Sequence, residues 1–201
     1  MAKKDSFINM VATLFIITAV PAILLGFVYK FTKKPISQVK EIKLKNSINL
    51  VVPGADKAEI KQFCVMPDNG KDSLHFYEVL EDGKIIGTAV QTYSDNGFGG
   101  RISVMVGFDT NGVIIDNDVI EHHETPGLGD KTAKSKSDWN SRFNNIDPKN
   151  SKLFIGKGGI DAITAATISS RAYCDALQRA YDAFSKYYKI DENQNEKGGT
   201  E

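Results

Sequence analysis

Gly158-Gly159-Ile160-Asp161-Ala162-Ile163-Thr164-Ala165-Ala166-Thr167-Ile168-Ser169-Ser170-Arg171 is the stretch on which the fold turns. It opens as a glycine-rich turn and closes as the first turn of a helix. From Arg171 to Tyr188 the residues Ala172, Leu177, Ala180, Tyr181, Phe184 and Tyr188 recur at helical spacing, which predicts an amphipathic helix with one face on a core. Four hydroxyl side chains, Thr164, Thr167, Ser169 and Ser170, crowd the start of that helix. One reading makes them caps, worth about 1 kcal/mol each. The other makes them part of an anion site. Unpaired N–H groups and the positive end of the helix dipole favour a negative ligand there. Four hydroxyls exceed what one cap needs, and the pattern alone leaves both readings open.

Upstream of this stretch the period changes to two. Leu74 to Leu80 reads as a strand, Glu81-Asp82-Gly83-Lys84 as an Asp-Gly turn, and Lys84 to Tyr93 as the returning strand. Ser94 to Gly100 reads as a flexible loop. Arg101 to Phe108 is a third strand, Asp109-Thr110-Asn111-Gly112 a turn, and Val113 to Ile120 a fourth strand. The expected class is α+β, an antiparallel β-meander flanked by helices. Pro35 to Leu50 reads as a helix closed by Pro53-Gly54, and Asp56 to Phe63 as a second short helix. Ser137 to Phe143 reads as a short helix packing Trp139 and Phe143 into the core, and Leu153-Phe154-Ile155 as a short apolar strand. Gly156-Lys157-Gly158-Gly159 lacks the Lys-Ser/Thr ending of a phosphate-binding P-loop.

At the other end of the chain, Phe7 to Tyr29 carries no charged residue. Such a run is long enough to cross a hydrocarbon core of about 30 Å as one helix. A cleaved signal peptide would have a shorter apolar region, about 7–15 residues, before a small-x-small site. The resulting division is a membrane anchor over 1–34, a helical linker region over 35–72, a globular domain over 73–190 and a polar tail over 191–201. Lys3 and Lys4 precede the span, and Lys30, Lys33 and Lys34 follow it. Counted naively, that leans by one lysine toward a cytoplasmic C-terminal domain.

The 201 residues hold 25 Lys+Arg and 25 Asp+Glu. That balance argues against nucleic acid as a partner, which calls for a basic face. Cys64 and Cys174 match no metal spacing and could be paired or free. Between the fourth strand and the short helix lies Glu121-His122-His123-Glu124-Thr125-Pro126-Gly127-Leu128-Gly129-Asp130-Lys131. Adjacent histidines invite a metal reading, but neighbours on an extended segment point to opposite faces. The alternatives are a plain Pro-Gly turn, or a loop whose backbone donors and Thr125 hydroxyl meet a ligand.

One apolar span, the Glu-Thr-Pro-Gly-Leu-Gly loop and the hydroxyl-rich helix start together resemble the FMN-binding domain family. Within it, they resemble the group that includes the G subunit of the Rnf ion-translocating electron-transport complex and the C subunit of the sodium-translocating NADH:quinone reductase. The family's attachment motif, Ser/Thr-Gly-Ala-Thr-x-Ser/Thr-Ser/Thr, aligns with Thr164-Ala165-Ala166-Thr167-Ile168-Ser169-Ser170, with Ala165 where the family has Gly. The family's second signature falls on His122 and on Glu124, Thr125, Gly127, Leu128, Gly129 and Lys131, and its glycine loop between strands on Gly99 and Gly100. The resemblance implies FMN bound covalently, as a phosphoester on Thr167. Thr164, Ser169, Ser170 and the two loops are then the further cofactor-binding residues. It also implies a flavoprotein that passes electrons between other membrane subunits and is matured by a flavin transferase. The flavin domain would lie on the outer face of a bacterial inner membrane, anchored in the bilayer through 7–29, which runs against the lysine count. No catalytic or metal-binding residue is expected. Other readings are a closer relative of the quinone reductase component, a stand-alone membrane-anchored flavin reductase, and an assembly protein without a cofactor.

Overall fold

The computed structural model describes residues 7–151 and 153–189. The polar tail expected over 191–201 and the leading Lys3 and Lys4 lie outside them. The chain divides into two compact units between Lys43 and Leu44. The long helix α1, Phe7–Val51, supplies all of the described part of the first and begins the second. Pro35 to Leu50 is thus no separate helix but the continuation of the apolar one. In the first unit an 18-residue window within Phe7–Lys33 has a mean hydropathy of 2.5, and none of that window is buried. Its hydroxyls are satisfied within the helix: Thr13 donates to the Asn9 carbonyl at 2.7 Å and Thr18 to the Leu14 carbonyl at 3.0 Å. A helix in an apolar medium needs that economy, so this stretch has the length and composition to cross a membrane.

The second unit is a five-stranded antiparallel sheet in the order β1-β2-β3-β4-β5. The strands are β1 Glu59–Val65, β2 Leu74–Glu81, β3 Lys84–Gly97, β4 Gly100–Phe108 and β5 Ile114–Glu121. Sequential neighbours pair throughout, as short turns dictate. Asp82 and Gly83 both take positive φ, +50° and +76°, the conformation an Asp-Gly hairpin turn requires. One sheet face packs on helix α2, Thr167–Tyr188, through Phe76, Val90, Val106 and Phe108 against Tyr173, Leu177 and Phe184. The other is covered by Ile48, Val51 and Val52, which meet Tyr77, Val79, Ala89 and Met105. Both faces are therefore dry over much of their area, and the meander reads as mostly apolar rather than strictly alternating.

Four further expectations are corrected. Residues 56–63 do not form a short helix: Glu59–Val65 is β1, a fifth strand paired with β2, so the region 35–72 is not helical throughout. Tertiary contact decides this, because Phe63 stacks on Phe76 at 5.2 Å and on Tyr187 at 4.7 Å. Ser94 to Gly100 is not a flexible loop. β3 runs on to Gly97, and only Phe98 and Gly99 link it to β4. Its polar side chains are tied down, Ser94 Oγ to Asp175 Oδ2 at 2.6 Å and Asp95 Oδ1 to Arg101 Nε at 2.6 Å. Leu153 to Ile155 is not a strand of the sheet: among the described residues it makes one isolated parallel bridge, Ile155 to Ile160. The expected helix at Ser137–Phe143 is a 3-10 turn, Trp139–Phe143, preceded by another at Gly129–Thr132.

Candidate functional site

Helix α2 begins at Thr167, and the residue before it, Ala166, supplies no side-chain cap. The hydroxyls of the opening stretch have divided their tasks. Ser170 is buried. Its Oγ accepts the Ile163 N–H at 3.0 Å and donates back to the Ala166 carbonyl at 2.9 Å, fastening the turn to the helix. Ser169, also buried, donates to Glu124 Oε2 at 2.5 Å. Thr164 and Thr167 are exposed. Capping alone therefore does not account for the cluster.

Glu124 is the hub of the site. It is only 5% exposed, an unusual place for a carboxylate unless it is hydrogen-bonded. Oε1 accepts the Gly99 N–H at 3.1 Å, and Oε2 holds Ser169. One side chain thus joins the β3–β4 turn, the 122–131 loop and the start of α2. Glycine makes the approach possible. A Cβ on Gly99 would lie 2.0 Å from the His123 carbonyl oxygen, and one on Gly129 2.5 Å from both Glu124 Oε2 and Ser169 Oγ. Gly127, at φ +77°, turns the loop after Pro126.

These elements enclose an open cavity of about 330 Å³. Of the residues expected from sequence, Thr167, Ser169, Glu124, Thr125, Leu128 and Gly129 line it. Gly99 borders it through its bond to Glu124. Thr164, Ser170, Gly100, Gly127 and Lys131 do not line it. Gly100 takes φ +101° at the start of β4, and Lys131 is exposed in the 3-10 turn that follows the loop. The lining also includes Phe98, Ala165, Ala166 and Ile168, absent from the expected set. Phe98 is 69% and Ile168 52% exposed. A large apolar side chain between glycines, Gly97-Phe98-Gly99, was the available signal for the first.

His122 Nδ1 accepts the Glu124 N–H at 3.2 Å and so helps set the loop. Among the described residues no three His, Cys, Asp or Glu side chains gather as a metal site. Trp139, 6% exposed, and Phe143, fully buried, belong to the core, where Trp139 Nε1–H donates to the Asp161 carbonyl at 2.8 Å. Beneath the helix start the Tyr173 hydroxyl donates to Asn117 Oδ1, and burial holds its pKa well above 10.

The cavity suits a phosphorylated aromatic cofactor. Its size is that of a small-molecule site. Phe98, Leu128, Ile168 and the two alanines offer apolar surface, while the Thr125 and Thr167 hydroxyls and a helix N-terminus offer anion contacts; the Ser169 proton is already held by Glu124. Residues 97–182, from the end of β3 to the last turns of α2, match the FMN-binding domain family. The chain is 31% identical to the G subunit of the ion-translocating oxidoreductase complex of Escherichia coli (strain K12), over 75% of this chain and 78% of that protein. The chain belongs to the G-subunit family of ion-translocating oxidoreductase complexes. The G subunits from Vibrio cholerae (strain M66-2) and Shewanella piezotolerans are each 29% identical. They align over 85% of this chain and 87% of the former protein, and over 82% of this chain and 82% of the latter.

Proposed function

We propose that this chain carries FMN as a phosphoester on Thr167 Oγ1 and passes electrons between the other subunits of an ion-translocating oxidoreductase complex. The observation that carries the reading is the state of Thr167: an exposed hydroxyl at the first residue of α2, uncapped, on the wall of the cavity. Ala165 and Ala166 precede it with small side chains. FMN supplies the redox chemistry; the protein supplies placement and electrostatics. A phosphoester oxygen at the α2 N-terminus gains about 0.3–1 kcal/mol from the helix dipole. That is too little to retain a cofactor, and a covalent bond removes the dependence on affinity. Thr125 and the backbone donors of the 124–129 loop hold and tune the group, and the Ser169–Glu124 hydrogen bond fixes the loop relative to Thr167.

The test is Thr167→Ala. The variant keeps the fold, shown by an unchanged urea midpoint, and loses all flavin fluorescence after denaturation. Fluorescent denatured protein from the variant excludes Thr167 as the attachment site. The same proposal places the domain on the outer face of the membrane, with the bilayer crossed through 7–29. Protease added to spheroplasts then removes residues beyond Lys43; protection from protease until the membrane is broken reverses the orientation.

A further inference from the structure

Cys64 lies on the outer strand β1, and its direct cross-strand partner on β2 is His75. Cys64 Sγ and His75 Nδ1 are 3.2 Å apart. Both belong to the sheet face opposite α2, since Phe63 and Val65, one position to either side, pack against the α2 core. This is not a core cysteine: Cys64 is exposed and His75 half-buried. Its face continues into Gln91, the register partner of His75, whose Oε1 accepts the Tyr77 hydroxyl at 3.3 Å. The other cysteine, also free, differs in its surroundings. Cys174 is free, 3% exposed, set in the α2 core, and burial pushes its thiol up to about 12. The two cysteines sit on opposite faces of the sheet and do not pair, so an oxidised Cys64 must bond to something outside this fold.

We propose that Cys64 and His75 form a thiol–imidazole site at which the domain is reversibly modified by a low-molecular-weight disulfide. The thiolate is the attacking species in such an exchange. Cys64 gives its proton to His75 Nδ1, and Sγ attacks one sulfur of the disulfide RSSR. The RS–SR bond breaks as the Cys64–S–SR bond forms. The released thiolate takes the proton from His75 and leaves as RSH. Cys64 is oxidised, one half of the disulfide is reduced, and an excess of RSH reverses the step. Tyr77, on the same face, stays neutral throughout, because burial and the nearby Cys64 charge raise its pKa; Tyr93, two residues on from Gln91, carries Arg101 over its ring at 4.2 Å, and the Arg101 charge is paired with Asp72 and Asp95 at 2.6 Å each. Without this chemistry the contact is a cross-strand pair worth about 0.2–1 kcal/mol, indifferent to pH as a reagent site. None of these residues lines the flavin cavity, so the site stands or falls independently of Thr167.

The experiment uses the full chain and glutathione disulfide, followed by intact and peptide mass spectrometry from about pH 5.5 to 8.5, a range spanning ordinary imidazole and thiol pKa values. The expected result is one adduct, on Cys64, reversed by glutathione and absent in Cys64→Ser. The rate at neutral pH falls at least about tenfold in His75→Asn, a lower bound for a positioned base. A second measurement needs no variant. In urea the dependence on an imidazole pKa disappears and Cys174 reacts as well. An unchanged rate in His75→Asn with an unchanged urea midpoint overturns the proposal. So does an identical pH profile in the folded and unfolded protein, an adduct on Cys174 in the folded protein, or a disulfide-linked dimer in place of the small adduct.

Discussion

Ala165 stands at φ +62°, in the left-handed region, immediately before the helix that carries Thr167. An L side chain there costs roughly 1–2 kcal/mol, and glycine would give back about 0.5–1 kcal/mol through its freer unfolded chain. Ala165→Gly should therefore stabilise the protein by about 0.5–1 kcal/mol, read as a rise in the urea midpoint at constant slope; a fall would show that the methyl makes a contact worth more than the strain. The sequence marks this position only as an alanine in a motif that resembles one with glycine, and it takes the backbone angle to give the difference a physical meaning. Thr167 was legible as a helix start because the apolar repeat behind it fixes where the helix begins. The partner of Ser169 was not, because Glu124 lies 45 residues away and nothing local announces a buried carboxylate.

Among the elements, α2 and most of the β2–β5 meander could be read directly, the first from its helical repeat and the second from turns of recognisable chemistry. β1 could not. Its burial alternates weakly, because it is an edge strand with one side open, and its sequence Glu-Ile-Lys-Gln-Phe-Cys-Val suits a short helix as well. What holds it is Phe63 between Phe76 and Tyr187. Phe63→Ala should cost about 1–2 kcal/mol, less than the about 3–5 kcal/mol for a fully buried phenylalanine, since Phe63 is only partly covered. In hydrogen exchange the β1 amides should lose protection well before those of β3. Uniform loss across the sheet would mean that β1 is not the weak edge. The extension of β3 past Tyr93 was hidden for a related reason. Ser94, Asp95 and Asn96 look like loop residues, and only Arg101 on β4 and Asp175 on α2 satisfy them as strand residues.

Over the whole molecule, the buried thiol and phenols set the alkaline limit of stability. Cys174 ordinarily titrates at 9 and is held at about 12 by burial, and Tyr77, Tyr173 and Tyr188 are shifted the same way. For each, the unfolded chain loses its proton first, so above the unfolded pKa it binds fewer protons than the folded one and stability falls with rising pH. Urea midpoints should be level near neutrality and decline progressively between pH 9 and 12; Cys174→Ala should flatten the first part of that decline, at the cost of a small cavity. A flat profile to pH 12 would mean these groups are not excluded from water. The long apolar helix and the sheet were each visible in the sequence, the first through composition and the second through its strands, but the cavity was not. It is made by three segments far apart in the chain, joined through Glu124. The claim that this cavity serves a covalent flavin meets its most direct test in peptide mass spectrometry of the full chain, produced with and without a flavin transferase. The account predicts a gain of one FMN less one water, on the peptide containing Thr167 and on that residue, only when the transferase is present. An unmodified Thr167 in transferase-matured protein, or the same gain in mass on Thr164 or Ser169, would contradict it.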